Sequence, residues 1–167
     1  MNKISDCIVN KNSSFVPVWF MRQAGRYLPE FRKIREKNQN FIKLCLNSNL
    51  AADITLQPIN RFNLDAAIIF SDILMIPYGL NQNVEFQKGF GPKLGNLNLE
   101  EIMSVNSKKF TDKLKPVYEA INIVKGKIKD SELIGFVGAP WTLLVYMLHK
   151  QSPKKDFNIN EINKNKS

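Results

Sequence analysis

The residues best suited to chemistry fall into three short stretches. Arg22 and Arg26 stand four apart in a segment that contains Gly25. Two guanidiniums so placed can face a common space, and each keeps its charge and offers a planar fork that matches a carboxylate. Surface salt bridges are the plainer use of the same side chains, and more so for Arg35, which lies toward the end of the next helix. Asp72 follows the apolar run Ala66-Ala67-Ile68-Ile69-Phe70. A carboxylate there can serve a ligand at the mouth of a parallel sheet, or it can cap the next segment through a backbone N–H. Tyr146 can pack in a core or offer its hydroxyl to a hydrogen bond. His149, the single histidine, has no second ligand or base candidate nearby and reads as a surface residue. Cys7 and Cys45 form neither a metal spacing nor a disulfide framework, so they read as free thiols in a reducing cytoplasm. No phosphate-binding glycine fingerprint, serine elbow or metal-ligand cluster is present. Gly89-Phe90-Gly91 begins like a fingerprint, but no fitting helix follows and it reads as a turn.

The elements that must position these residues alternate between strand and helix. Residues 1–15 are polar and read as an irregular arm. Val16 to Met21 is apolar and β-prone and reads as a short buried strand. Pro29 suits the first turn of a helix that runs to about Lys37. A second helical stretch covers Asn40 to Leu46, and a longer one, capped by Ser48, presents Leu50, Ile54, Leu56 and Ile59. Leu64 to Phe70 is the clearest strand, and Ala66 to Phe70 within it is continuously apolar, as in a parallel strand covered on both faces. Val84 to Gln87 and the glycine-rich turn after it read as a hairpin excursion. Asn98 starts a short helix. Ser107 to about Ile128 reads as a long one, which Pro116 would kink or split. Leu133 to Val137 is a third buried strand, and Pro140 to His149 a final helix. From Gln151 to Ser167 the chain turns polar and reads as a disordered tail. This order predicts an α/β fold with a parallel sheet. It puts Arg22 and Arg26, Asp72, and the segment leading to Tyr146 each after the C-terminal end of a strand, the rim where such folds bind ligands.

Composition excludes several classes. Of 167 residues, 44% are hydrophobic and 23% charged, which suits one globular domain. No apolar run approaches the ~20 residues that cross a bilayer, and the N-terminus lacks an apolar signal core. The net charge of +9 comes mainly from scattered lysines among many asparagines. Pairs such as Lys108-Lys109 and Lys154-Lys155 are too short for a basic tract, so no nucleic-acid partner is expected.

The stretch Pro17-Val18-Trp19-Phe20-Met21-Arg22-Gln23-Ala24-Gly25-Arg26-Tyr27-Leu28-Pro29-Glu30-Phe31 closely resembles the N-terminal motif of uroporphyrinogen decarboxylases. Leu64 to Leu74 and Ile134 to Leu143 resemble later segments of that family in the same order, so the likeness covers about residues 14 to 150. The resemblance implies a (β/α)8 TIM barrel that pairs into a homodimer. It implies loss of the four acetate carboxyls of uroporphyrinogen III to give coproporphyrinogen III, with no metal or organic cofactor. Arg22 and Arg26 would grip substrate carboxylates, with Arg22 a candidate proton donor. The Gln23-Ala24-Gly25 backbone would line the pocket, and Arg35 would contact another carboxylate. Asp72 would face the pyrrole N–H groups, and Tyr146 would bond near the reacting acetate. A closed barrel of this kind needs about 250 residues, so residues 16–150 correspond to about three of its eight βα units. The alternative is a truncated, non-catalytic fragment of that enzyme.

Overall fold

The computed structural model describes residues 3–11, 14–87 and 89–152. Its elements run α1 (Lys3–Val9), α2 (Pro29–Lys37), α3 (Phe41–Cys45), α4 (Ser48–Phe62), β1 (Ala66–Ile68), α5 (Met75–Gly79) and β2 (Val84–Gln87). β3 (Gly91–Leu94), α6 (Leu99–Met103), α7 (Ser107–Lys127), β4 (Glu132–Ile134) and α8 (Pro140–His149) follow. They divide into two compact units. Among the described residues, the first comprises those through Asp72 together with Leu114–Phe136, and the second those of Ile73–Lys113 together with those from Val137.

In the first unit β1 and β4 pair in parallel, with Ala67 opposite Leu133. Two bonds extend the ladder, from Glu132 N to Asp65 O at 2.9 Å and from Ile69 N to Ile134 O at 3.1 Å. The helices that flank this sheet begin where local chemistry dictates. Pro29 opens α2, and the Asn40 and Asn47 side chains accept from Lys43 N and Leu50 N to cap α3 and α4. The cap of α4 is thus Asn47, one residue before the expected Ser48. Asn63, left-handed at φ 50°, ends α4. Ala51, Ala52 and Leu56 of α4 pack with Ile69 and with Ala120 and Val124 of α7. Leu28, Phe31, Leu44 and Ile54 form a second core. Pro116 lies inside α7 without dividing it.

Other expectations fail in this unit, where the expected third strand is Glu132–Ile134, half-buried, rather than a buried Leu133 to Val137. Residues 3–9 are helical rather than irregular, and Ser5 N and Oγ both donate to the Glu132 carboxylate, at 2.8 and 2.7 Å. Val16 to Met21 is not a buried strand. It lies outside any ladder, and Val16 and Met21 are 84% and 75% exposed. It touches the approach to β1 at one residue, where Asp65 N donates to Val18 O at 2.9 Å and Asp65 Oδ2 accepts from Val18 N at 2.7 Å. Beyond that point the Gln23 side chain occupies the bonding positions of the strand edge, so no further main-chain ladder forms. The parallel sheet therefore has two strands among the described residues, where three were expected.

The second unit holds the expected hairpin, β2 and β3, with Val84 opposite Leu94 and Gln87 opposite Gly91. Gly89 and Gly91 at the turn have φ of 85° and 83°, which side chains disfavour. Asn98 caps α6 by accepting from Glu101 N. The buried Gln82 amide donates to Gly95 O and Met147 O, both at 3.0 Å, and ties α8 to the hairpin's exit. Each unit carries one tryptophan, Trp19 in the first and Trp141 in the second, 40% and 51% exposed. Of the expected disordered tail, residues 153–167 lie outside the described residues.

Candidate active site

The loop from Arg22 to Leu28 is fastened from several sides. The Gln23 side chain, 4% exposed, donates from Nε2 to Ala66 O at 2.7 Å and accepts at Oε1 from Ile68 N at 3.0 Å. The Tyr27 hydroxyl donates to Gln23 O, and the Tyr27 ring stacks on Phe62 with centroids 6.2 Å apart. Leu28 N donates to Gly25 O at 3.0 Å. Arg32 Nη1 donates to Arg26 O at 2.8 Å and Tyr27 O at 3.3 Å. With these carbonyls occupied, the loop presents the exposed side chains of Arg22 and Arg26. Ala24 packs against the core of α2 and α4. A Cβ on Gly25 would meet the Tyr27 ring at 3.5 Å, an ordinary contact, so room alone does not demand glycine there. Glu30, four residues past Arg26, is engaged elsewhere: Arg61 holds both its oxygens at 3.0 Å, which lowers the Glu30 pKa.

Asp72 lies four residues beyond β1 and is half-buried. The backbone leading to it is held by Thr55, whose Oγ1 accepts from Phe70 N at 2.8 Å and donates to Ala51 O at 2.7 Å. Phe70 packs edge-on against Phe31 and Phe41, with centroids 5.9 and 5.7 Å away. Arg35 is half-buried over the Phe41 ring, 5.4 Å from its centroid, and donates to Asn38 O at 2.7 Å and Gln39 O at 3.1 Å. Burial raises the pKa of the Cys45 thiol, Asp72 raises it further, and Arg35 opposes the rise. Asp72 and Arg35 therefore lie within electrostatic range of one buried thiol.

The first unit thus holds Arg22, Gln23, Ala24, Gly25, Arg26, Arg35 and Asp72. Tyr146 belongs to the second, on α8, half-buried, with its hydroxyl 3.3 Å from Ser152 Oγ. His149, expected at the surface, is half-buried in the last turn of α8. Both cysteines are free. A cavity of about 440 Å³ in the first unit is lined by Ile69, Ile121, Lys125, Ile128 and Leu133 among others, and by none of the expected site residues. Among the described residues no helix is long and apolar enough to cross a membrane. Thr55 escaped the sequence reading. Its one signal was a hydroxyl amid the apolar positions of α4.

Comparison with known proteins agrees with the motifs. The model of the family described as "Uroporphyrinogen decarboxylase (URO-D)" matches residues 2–161. The uroporphyrinogen decarboxylase of Rickettsia felis is 47% identical over 150 residues, covering 89% of this chain and 43% of that protein. That of Mesorhizobium japonicum is 49% identical over 133 residues, or 79% of this chain and 39% of that one. The Brucella ovis protein of the same name is 46% identical with the same coverage, 79% and 39%. The chain spans about two fifths of the length of these curated relatives.

Proposed function

The chain belongs to the uroporphyrinogen decarboxylase family, and from that membership we propose that it is the N-terminal part of a (β/α)8 barrel whose rim decarboxylates uroporphyrinogen III. The assembly is a cytoplasmic homodimer that needs no cofactor. The observation that carries this reading is the attachment of two functional groups to one strand. β1 leads on to the half-buried Asp72, and the loop bearing Arg22 and Arg26 is bonded to the same strand through Gln23.

In this reading Arg22 and Arg26 hold substrate carboxylates through bidentate forks, Arg35 holds another, and the Ala24 backbone lines the pocket. Direct loss of CO₂ from an acetate arm would leave a poor carbanion. A proton delivered first to the pyrrole ring, with Arg22 as donor, makes a cation that can accept the electrons. The C–C bond then breaks, its electron pair moves into the ring and CO₂ leaves; the exocyclic methylene takes a proton to become a methyl group, and the ring gives up the first proton to restore the pyrrole. Asp72 stabilises the cation, and Tyr146 bonds beside the reacting arm. A unit pair at about 4 Å and an effective dielectric of 20 is worth about 4 kcal/mol, roughly three powers of ten in rate if it acts in the transition state alone.

The test is anaerobic incubation of uroporphyrinogen with the complete barrel enzyme that contains this chain, and with the chain alone, then oxidation and chromatography of the porphyrins. Turnover should fall about 10³-fold in Asp72→Asn. Unchanged turnover in that variant would remove Asp72 from the mechanism. A second reading, a non-catalytic fragment, is favoured by the exposed apolar segment Val16 to Met21. It expects porphyrin binding with no turnover by this chain alone.

A further inference from the structure

We infer that Gln23 is a positioning residue, whose side chain stands in for a β-strand and fixes the level of the Arg22–Arg26 loop along β1. A primary amide carries one donor side and one acceptor side, like a peptide group. In a parallel ladder a residue donates to the carbonyl before its partner and accepts from the N–H after it. Gln23 makes that pair of bonds around Ala67, to Ala66 O and from Ile68 N. On the opposite edge of β1, Leu133 of β4 faces the same Ala67. Ala67 thus has a true strand on one side and a side-chain substitute on the other.

This arrangement sets a register. Strand residues rise about 3.3 Å each, and the bonding groups on one edge recur every second residue. If the Gln23 amide engaged the next pair of groups, Arg22 and Arg26 would move about 6.6 Å along the strand toward or away from Asp72. That exceeds the reach of a hydrogen bond, so the two bonds select one spacing of cations and carboxylate. Tyr27 continues the constraint, because its hydroxyl donates to the carbonyl of Gln23 itself. Gln23 thus acts through the arginines, with both ends of its amide turned to the strand. The importance of this spacing for a tetrapyrrole rests on the function proposed above.

The experiment compares wild type, Gln23→Leu and Gln23→Glu, reading amide hydrogen-exchange protection of Ile68, Leu28 and Ile54 by NMR and the Kd for uroporphyrin I by fluorescence. Leucine fills similar space and bonds to nothing. Protection at Ile68 and at Leu28, which donates to Gly25 O, should fall at least tenfold, with Ile54 in α4 unchanged. In Gln23→Glu the ionised carboxylate has no donor for Ala66 O, which repels it and pushes it out of the contact with Ile68 N. Once protonated, the new side chain supplies donor and acceptor together, so Gln23→Glu should regain Ile68 protection as pH falls through the carboxyl range near 4.3. Uroporphyrin binding should weaken about tenfold in Gln23→Leu and return with protonation in Gln23→Glu. Weakened binding with Ile68 and Leu28 still protected would make Gln23 a direct ligand and overturn the inference. A matching loss at Ile54, with no recovery in Gln23→Glu, would also overturn it. If wild type binds no uroporphyrin, the tetrapyrrole reading falls, and the exchange pattern still decides whether Gln23 sets the loop.

Discussion

Gln23 and Thr55 are polar side chains spent on backbone groups of the strand segment that leads to Asp72. Gln23 satisfies Ala66 O and Ile68 N, and Thr55 satisfies Phe70 N. Buried peptide groups need partners, and where neighbouring strands do not reach, these two side chains supply them. Cys45 shows how apolar the surroundings are, since burial is the largest cause of its raised pKa. A thiol whose folded pKa exceeds its unfolded one contributes stability that is complete below the unfolded value, about 8.5. That contribution is lost as pH rises past it toward the raised value. Urea unfolding should therefore show stability declining from about pH 9 upward, by as much as about 1.4 kcal/mol per pH unit from this group. In Cys45→Ala that component should vanish, and an identical alkaline slope in the variant would assign the decline to other groups.

Among the elements, α7 and the turn before α8 make opposite demands on glycine. A Cβ on Gly138 would lie 2.7 and 2.9 Å from Leu143 Cδ2 and Cγ, and 3.1 Å from Ile73 Cβ. Gly138→Ala should cost about 1–3 kcal/mol. At Gly126, inside α7, an added Cβ meets nothing within 4 Å, so Gly126→Ala should stabilise by up to about 1 kcal/mol. Urea midpoints of the two variants should move in opposite directions. The helices were legible because their signals are local: Pro29 and Pro140 at first turns, Asn98 as a cap, apolar residues at helical spacing along α7. The hairpin was legible from its glycines. Val16 to Met21 misled because apolar, β-prone composition shows what a segment can pair with and not whether an edge is vacant. The residue that fills the edge, Gln23, bonds across more than forty positions of sequence, at |i−j| of 43 and 45. Its motif identified the loop, but its side chain's partners are set by tertiary structure. The same holds for Arg35, whose bonds to Asn38 O and Gln39 O depend on how the chain turns after α2.

At the scale of the whole molecule, the first unit ends in a two-stranded parallel sheet with Val16, Val18, Phe20 and Met21 exposed beside it. Exposed strand edges and apolar patches promote association. Sedimentation should therefore show species heavier than the monomer, shifting toward monomer in the Phe20→Lys, Met21→Lys double variant. A monomeric wild-type chain would contradict this. The division into two units also gives the chain a built-in pair of optical reporters. With Trp19 in one unit and Trp141 in the other, replacing either by phenylalanine leaves emission that reports on a single unit. Each unit has buried apolar residues of its own, Ile54 and Val124 in the first and Leu74 and Leu94 in the second. In a denaturant titration the two variants should therefore show separate midpoints. Superimposable curves would instead mean that the two halves melt as one cooperative body.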